Sequence, residues 1–577
     1  MNKSGKYLVW TVLSVMGAFA LGYIALNRGE QINALWIVVA SVCIYLIAYR
    51  FYGLYIAKNV LAVDPTRMTP AVRHNDGLDY VPTDKKVLFG HHFAAIAGAG
   101  PLVGPVLAAQ MGYLPGMIWL LAGVVLAGAV QDFMVLFVST RRDGRSLGEL
   151  VKEEMGPTAG VIALVACFMI MVIILAVLAM IVVKALTHSP WGTYTVAFTI
   201  PLALFMGIYL RYLRPGRIGE VSVIGLVFLI FAIISGGWVA ESPTWAPYFD
   251  FTGVQLTWML VGYGFVAAVL PVWLLLAPAG TADVVASAAQ VVSSWGFAIT
   301  PDTLNQIASE VGEQSIISRA GGAPTLAVGM AYILHGALGG MMDVAFWYHF
   351  AILFEALFIL TAVDAGTRAA RFMLQDLLGV VSPGLKRTDS LPANLLATAL
   401  CVLAWGYFLH QGVVDPLGGI NTLWPLFGIA NQMLAGMALM LCAVVLFKMK
   451  RQRYAWVALV PTAWLLICTL TAGWQKAFSP DAKVGFLAIA NKFQAMIDSG
   501  NIPSQYTESQ LAQLVFNNRL DAGLTIFFMV VVVVLALFSI KTALAALKEP
   551  KPTAKETPYE PMPENVEEIV VQAKGAH

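Results

Sequence analysis

The chain has 577 residues, 59% of them hydrophobic and only 12% charged. A soluble chain is roughly 25% charged, and half that share excludes an ordinary water-facing globule and points to hydrocarbon as the solvent. A net charge of +2, with no long basic tract interleaved with aromatics, argues against nucleic acid as a partner.

Residues 7–26 form an uncharged run that as a helix spans about 30 Å, the thickness of the hydrocarbon core. Lys3 and Lys6 precede it. The run is long for a signal peptide, no small-x-small site follows and a second apolar run starts at Ile32, so it reads as a first spanning helix. Further spans are expected at 32–57, 115–139, 158–183, 192–210, 221–240, 254–277, 344–364, 391–409, 423–447, 456–473 and 524–540. Two apolar stretches rich in Gly and Pro, 93–112 and 325–342, bring the expectation to about fourteen membrane segments in an all-α, polytopic helical membrane protein.

Basic residues cluster in alternate loops: Arg141, Arg142, Arg145 and Lys152; Arg211, Arg214 and Arg217; Lys448, Lys450, Arg451 and Arg453; and the stretch from Arg368 to Arg387. The opposite connections carry Glu241 and Asp250, and no Lys or Arg between 411 and 419. The positive-inside rule therefore predicts that both termini are cytoplasmic.

The expected organisation is a transmembrane transport region (1–278), a polar connection (279–324) and a second multi-helix membrane region (325–473). An extramembrane helical insertion (474–523), a last membrane helix (524–548) and a disordered cytoplasmic tail (549–577) rich in Pro, Glu and Lys follow. In the connection, Thr300 and Pro301 read as the cap and first residue of an amphipathic helix. In the insertion, Thr507 and Gln510 have capping-box spacing.

Candidate chemistry lies where polar or irregular sequence enters the apolar runs. The block from His91 to Pro105 carries Gly98, Gly100, Pro101 and Gly104, residues that oppose a regular helix. Backbone left unpaired at membrane depth must be met by protein or a polar cavity, and at a break it can hold substrate or a coupling ion. Small residues equally serve close helix packing. Asn431 and Gln432 place uncharged donors and acceptors within a span, to read a substrate or to join helices.

Glu355, near mid-span with apolar neighbours, needs a partner, water or a proton, which makes it the leading candidate for proton coupling. Asp132 and Asp364, nearer the basic loops, and His335 are further candidates; each reads equally as a structural partner. His91, His92 and His349 share that ambiguity. The five cysteines all lie in apolar runs without a close pair, and no dense metal-ligand cluster appears. Gly98-Ala99-Gly100 runs into Pro101 and no GxxxxGK[ST] occurs, so no nucleotide cofactor is expected. The proton is the expected coupling ion, and transport is expected to be secondary.

The blocks Gly90-His91-His92-Phe93-Ala94-Ala95-Ile96-Ala97-Gly98-Ala99-Gly100-Pro101, Val130-Gln131-Asp132-Phe133, Asp364-Ala365-Gly366-Thr367-Arg368 and Leu423-Trp424-Pro425-Leu426-Phe427-Gly428-Ile429-Ala430-Asn431-Gln432 resemble the carbon starvation protein A family over essentially the whole chain. The resemblance implies an inner-membrane nutrient transporter used under carbon limitation. It also implies broken-helix, cation-coupled architecture, a kinship with pyruvate–proton symporters and an association with peptide use. The expected partners are thus a small carboxylate or short peptides, and membrane lipids; the alternative is a membrane nutrient sensor that moves nothing. One departure stands out: after Pro278 the chain passes directly to Ala279-Gly280-Thr281-Ala282-Asp283, where the family continues through further hydrophobic segments.

Overall fold

The computed structural model describes residues 34–75, 80–96, 100, 104, 113–214, 217–269, 301–311, 323–338, 340–387, 390–415, 419–504 and 506–563. These residues are mostly helical, without a strand beyond one isolated bridge between Arg67 and Pro561. In chain order the helices are α1 (Ile37–Leu61), α2 (Lys85–Ile96), α3 (Gly116–Thr140), α4 (Leu147–Met155), α5 (Pro157–Leu186), α6 (Pro190–Ile208), α7 (Ile218–Glu241) and α8 (Gly253–Val269). They continue as α9 (Pro301–Glu310), α10 (Ala323–Ala337), α11 (Val344–Val381), α12 (Leu391–Val414), α13 (Gly419–Lys448), α14 (Trp456–Phe478), α15 (Phe486–Asp498) and α16 (Glu508–Lys548). Among the described residues ten helices are long and apolar enough to cross a membrane. The expected span at 7–26 and most of 93–112 lie outside the described residues, as does the Pro278/Ala279 join.

The bundle is organised around α5. Pro157 starts it, where a missing amide hydrogen costs nothing, and Gly156 precedes it at φ 103°, a conformation that favours glycine. Lys184, in its last turn, is the helix's sole charge, and two thirds of its positions are buried, including nearly all from Val172 onward. A helix apolar all round belongs in the centre of a bundle, and α4, α8, α11, α12, α13 and α16 all pack on it. Two glycines set how closely α4 and α5 cross. A Cβ built on Gly148 would lie 2.5 Å from Leu164, and one on Gly160 would lie 2.1 Å from the Cβ of Lys152, so the contact is of the small-residue kind that membrane helices use.

At the basic end, a charge cluster ties the bundle together. The Glu154 side chain is wholly enclosed, 2.7 Å from Arg142 and 2.9 Å from Lys448. Its Oε1 also accepts the backbone N–H of Lys555 at 3.1 Å. Beside it Lys386 reaches Glu149 at 2.8 Å. Burial pushes the Glu149 carboxyl up, but Lys386 and Lys152 outweigh that and hold it below the usual carboxylate range.

Several expected boundaries move. The last helix, α16, starts at Glu508 behind the Thr507/Gln510 capping box and runs unbroken for 41 residues, about 60 Å at the helical rise. The helix passes the expected boundary at 523/524 without a break. Helix α11 likewise runs 38 residues to Val381, so Arg368 and Arg371 are helical and buried rather than part of a loop. In 325–342 the helix is regular to Ala337, and the interruption follows it as a turn with Gly340 at φ 74°. The tail also differs. Residues 549–563, expected to be disordered, lie extended across the basic end. Thr553 N–H donates to Lys448 O (2.9 Å), Thr557 N–H to Arg141 O (3.0 Å) and Met562 N–H to Thr66 O (2.7 Å). Glu556 pairs with Arg141 at 3.3 Å, and Glu560 with Arg73 at 3.2 Å.

A methyl group at Gly160 must drive α4 from α5, so Gly160→Ala should cost about 1–3 kcal/mol, as overpacking does. Gly523→Ala, where a Cβ meets nothing within 4 Å, should cost nothing. Thermal unfolding of the two purified variants in detergent checks the difference.

Candidate functional site

The polar residues of α11 divide into two environments. Glu355 faces α5 in a tight crevice without room for a water-sized sphere, lined by Ile181, Val182, Ala185, Ile352, Ala356 and Ile359. Its side chain is buried, and neither carboxylate oxygen has a hydrogen-bond partner among the described residues. Apolar walls on every side cannot stabilise a bare charge, so this site suits a carboxyl group that takes up and gives back a proton.

Asp364, nine residues on and about 14 Å along the helix, is held differently. Arg368 Nε donates to its Oδ1 at 3.1 Å. The same guanidinium reaches the carbonyl of Ala267, and Arg371 Nη1 donates to that of Ala268 at 3.5 Å. Both carbonyls belong to residues of α8. Arg368 thus joins Asp364 on its own helix to the backbone of α8, and Arg371 reaches the same stretch. Sequence reasoning missed this pair because arginines after an apolar run resemble a cytoplasmic loop. The usable signal was the spacing: Asp364, Arg368 and Arg371 fall at i, i+4 and i+7 on one helical face.

The other candidates scatter. His335 Nδ1 is bonded to Met342 O at 2.7 Å across the Gly340 turn, a structural staple. Asp132 is half-buried in α3 and lies within electrostatic reach of His92 on α2. Helix α2 packs on α11 through Phe93 and Phe358, whose ring centroids are 6.1 Å apart. Of the glycine-rich block, Gly98 and Pro101 lie outside the described residues. A Cβ on Gly100 would sit 3.9 Å from the Phe427 ring, and one on Gly104 would meet nothing within 4 Å.

Asn431 is exposed and Gln432 half-buried on α13, whose interior carries Pro425; with Gly428 they form an open polar stripe on an otherwise deeply buried helix. The structure brings Gly100 to α13, but the residues lining the Glu355 crevice all belong to α5 and α11, so Asn431 and Gln432 do not share it. Among the described residues no group of three or more His, Cys, Asp or Glu side chains is placed to hold a metal ion.

The two environments of α11 predict opposite responses to amide substitution. Asp364→Asn strips a buried arginine of its carboxylate and should destabilise the protein by about 3–5 kcal/mol. Glu355→Gln removes an unpartnered carboxyl and should leave stability unchanged or raised. Chemical or thermal unfolding in one detergent, with both variants side by side, reads the contrast.

Comparison with known proteins follows the same blocks. The family model described as carbon starvation protein CstA matches residues 33–281 and, separately, 279–472. The chain is 82% identical over 701 residues to the peptide transporter CstA of Escherichia coli (strain K12), covering 100% of both. It is 49% identical to the pyruvate/proton symporter BtsT of the same organism, over 98% of each chain, and 44% identical to the peptide transporter CstA of Campylobacter jejuni, over 97% of this chain and 99% of that one. No solved structure matches. The 701 positions of the first comparison exceed the 577 residues present, and 577 residues can fill at most 82% of them. The residues present therefore match almost throughout, and the relative carries an internal stretch with no counterpart here. The two family-model matches meet at 279–281, placing that stretch at the Pro278/Ala279 departure. The chain belongs to the carbon starvation protein CstA family.

Proposed function

We propose that this protein is a secondary transporter that carries pyruvate or a similar small carboxylate across the bacterial inner membrane together with a proton, with both termini in the cytoplasm. The observation that carries this reading is Glu355, buried beside α5 with neither oxygen partnered among the described residues. A group in that setting is stable only when neutral. Protonation from one side and release to the other would couple its charge to the cycle of access. A relative of nearly half-identical sequence is named as a pyruvate/proton symporter. Gly100, Gly104, Asn431 and Gln432, with Gly98 and Pro101, are proposed to line the cargo path; Glu355 carries the proton, and Asp132, Asp364 and His335 are second to it. Nothing in this reading calls for a catalytic role.

Short peptides are the second reading, favoured by the names of the E. coli and Campylobacter relatives. Both cargoes present a carboxylate.

Purified protein in liposomes should accumulate labelled pyruvate when an inward proton gradient is imposed, and Glu355→Gln should fall to the rate seen without a gradient while retaining exchange of internal for external label. Equal uptake with and without the gradient would reject proton coupling. Competition by defined di- and tripeptides, followed by direct peptide counterflow, separates the cargoes. Running the E. coli relative in parallel shows whether the internal stretch missing here is required for movement.

A further inference from the structure

The tail that crosses the basic end is held in two unequal ways. Five prolines among residues 549–563 keep the chain extended and leave few amides to donate. Thr553, Lys555 and Thr557 alternate along it, and alternate residues of an extended chain face one way. Their N–H groups donate in turn to Lys448 O at the end of α13 (2.9 Å), to Glu154 Oε1 on α4 (3.1 Å) and to Arg141 O after α3 (3.0 Å). Farther on, the tail pairs antiparallel with the connection after α1. Met68 N–H donates to Glu560 O at 2.8 Å and Met562 N–H to Thr66 O at 2.7 Å, on either side of the Arg67/Pro561 bridge.

Side chains fasten this outer half. Glu556 lies 3.3 Å from Arg141 and 3.7 Å from Arg67, whose guanidinium also reaches Thr557 O, and Glu560 lies 3.2 Å from Arg73. Exposure separates these pairs from the hub at Glu154: the side chains of Glu556 and Glu560 are 24% and 48% exposed, that of Glu154 0%. Salt screens exposed charges far more than enclosed ones. Raised ionic strength therefore weakens the grip of the arginines on the tail and leaves the Glu154 hub tied.

We propose that residues 556–562 form a salt-sensitive strap. Seated at low ionic strength, it clamps the connection after α1 to the end of α3; at high ionic strength it lifts, while residues 553–555 stay on the hub. The strap needs neither cargo nor coupling ion, so it stands or fails apart from the uptake reading.

The test is hydrogen–deuterium exchange of the purified full chain in detergent, without cargo. Sodium chloride is raised from about 10 mM to about 1 M, over which the screening length falls from about 30 Å to about 3 Å. Exchange at the amides of Met68, Thr557 and Met562 should quicken roughly tenfold, as the loss of two exposed ion pairs allows. The amides of Thr553 and Lys555 should respond less, and α5 should stay protected as the internal reference. Glu556→Gln combined with Glu560→Gln should exchange at low salt as wild type does at high salt; Glu560→Gln alone, at a half-exposed side chain, serves if the pair does not fold. A lock tests the seating. Arg67 and Pro561 form a non-hydrogen-bonded antiparallel pair, in which Cα atoms lie about 4.5 Å apart, within disulfide range. Arg67→Cys with Pro561→Cys, in a chain carrying Cys43→Ser at its exposed cysteine, should close a disulfide and keep exchange slow at both salt concentrations, and reduction should release it. The proposal is overturned if salt leaves exchange unchanged, if the neutralised glutamates keep wild-type protection at low salt, or if the cysteine pair does not close.

Discussion

Glu154 has no part of its side chain open to solvent, yet it is the point where α3, α4, α13 and the returning tail are joined, through Arg142, Lys448 and the amide of Lys555. A carboxylate removed from water must find a cation, a donor or a proton, because the desolvation penalty is several kcal/mol per ion. Three of the six buried acids among the described residues obey that rule by ion pairing. Glu154 takes two cations and an amide, Asp364 takes Arg368, and Glu149 takes Lys386 and Lys152. The basic end is thereby tied into one unit, and the long helices that leave it are aligned on a common base.

Packing supplies the other half of the order. In lipid there is little hydrophobic gain from pressing helices together, so close approach rests on shape. The Gly148 and Gly160 contacts bring α4 against α5, and Gly264 does the same for α8 against the fully buried Trp405 of α12. With the helices this close, a polar side chain on α5, α11 or α12 has few neighbours to choose from. Its partner is fixed by geometry, and an absent partner is a property of the fold.

The membrane character of the chain was legible because it depends on composition and run length alone, and the Thr507/Gln510 cap because it is local. What could not be read locally was charge that the tertiary structure satisfies. Arg368 and Arg371 resemble the start of a loop until the carbonyls of Ala267 and Ala268, about a hundred residues earlier, are seen beside them. Asn517, Asn518, Arg519 and Asp521 make the start of α16 look extramembrane, although the helix carries straight through them. The tail reads as disordered by composition, yet Arg141, Lys448 and Glu154 from distant segments hold it. Of the candidate site, Glu355 was legible, since an isolated acid in an apolar run needs no partner's position to be noticed. The open stripe of α13 was legible in its residues but not in its separation from Glu355.

The contrast along α11 shows why one acid and not its neighbour suits a coupling role. A group that couples a proton to movement must change its charge as the protein changes state, and the two forms must lie close in free energy. Asp364 meets that condition less well, because protonating it gives up its charged pairing with Arg368. Glu355 has no such partner to lose among the described residues. Its neutral form is favoured by apolar walls from α5, and its charged form needs only that water or a cation reach the crevice. A small displacement of α11 against α5 would decide that, and these two helices form one of the most extensive contacts in the bundle. In the proposed cycle, the proton affinity of Glu355 would follow the relative position of α5 and α11.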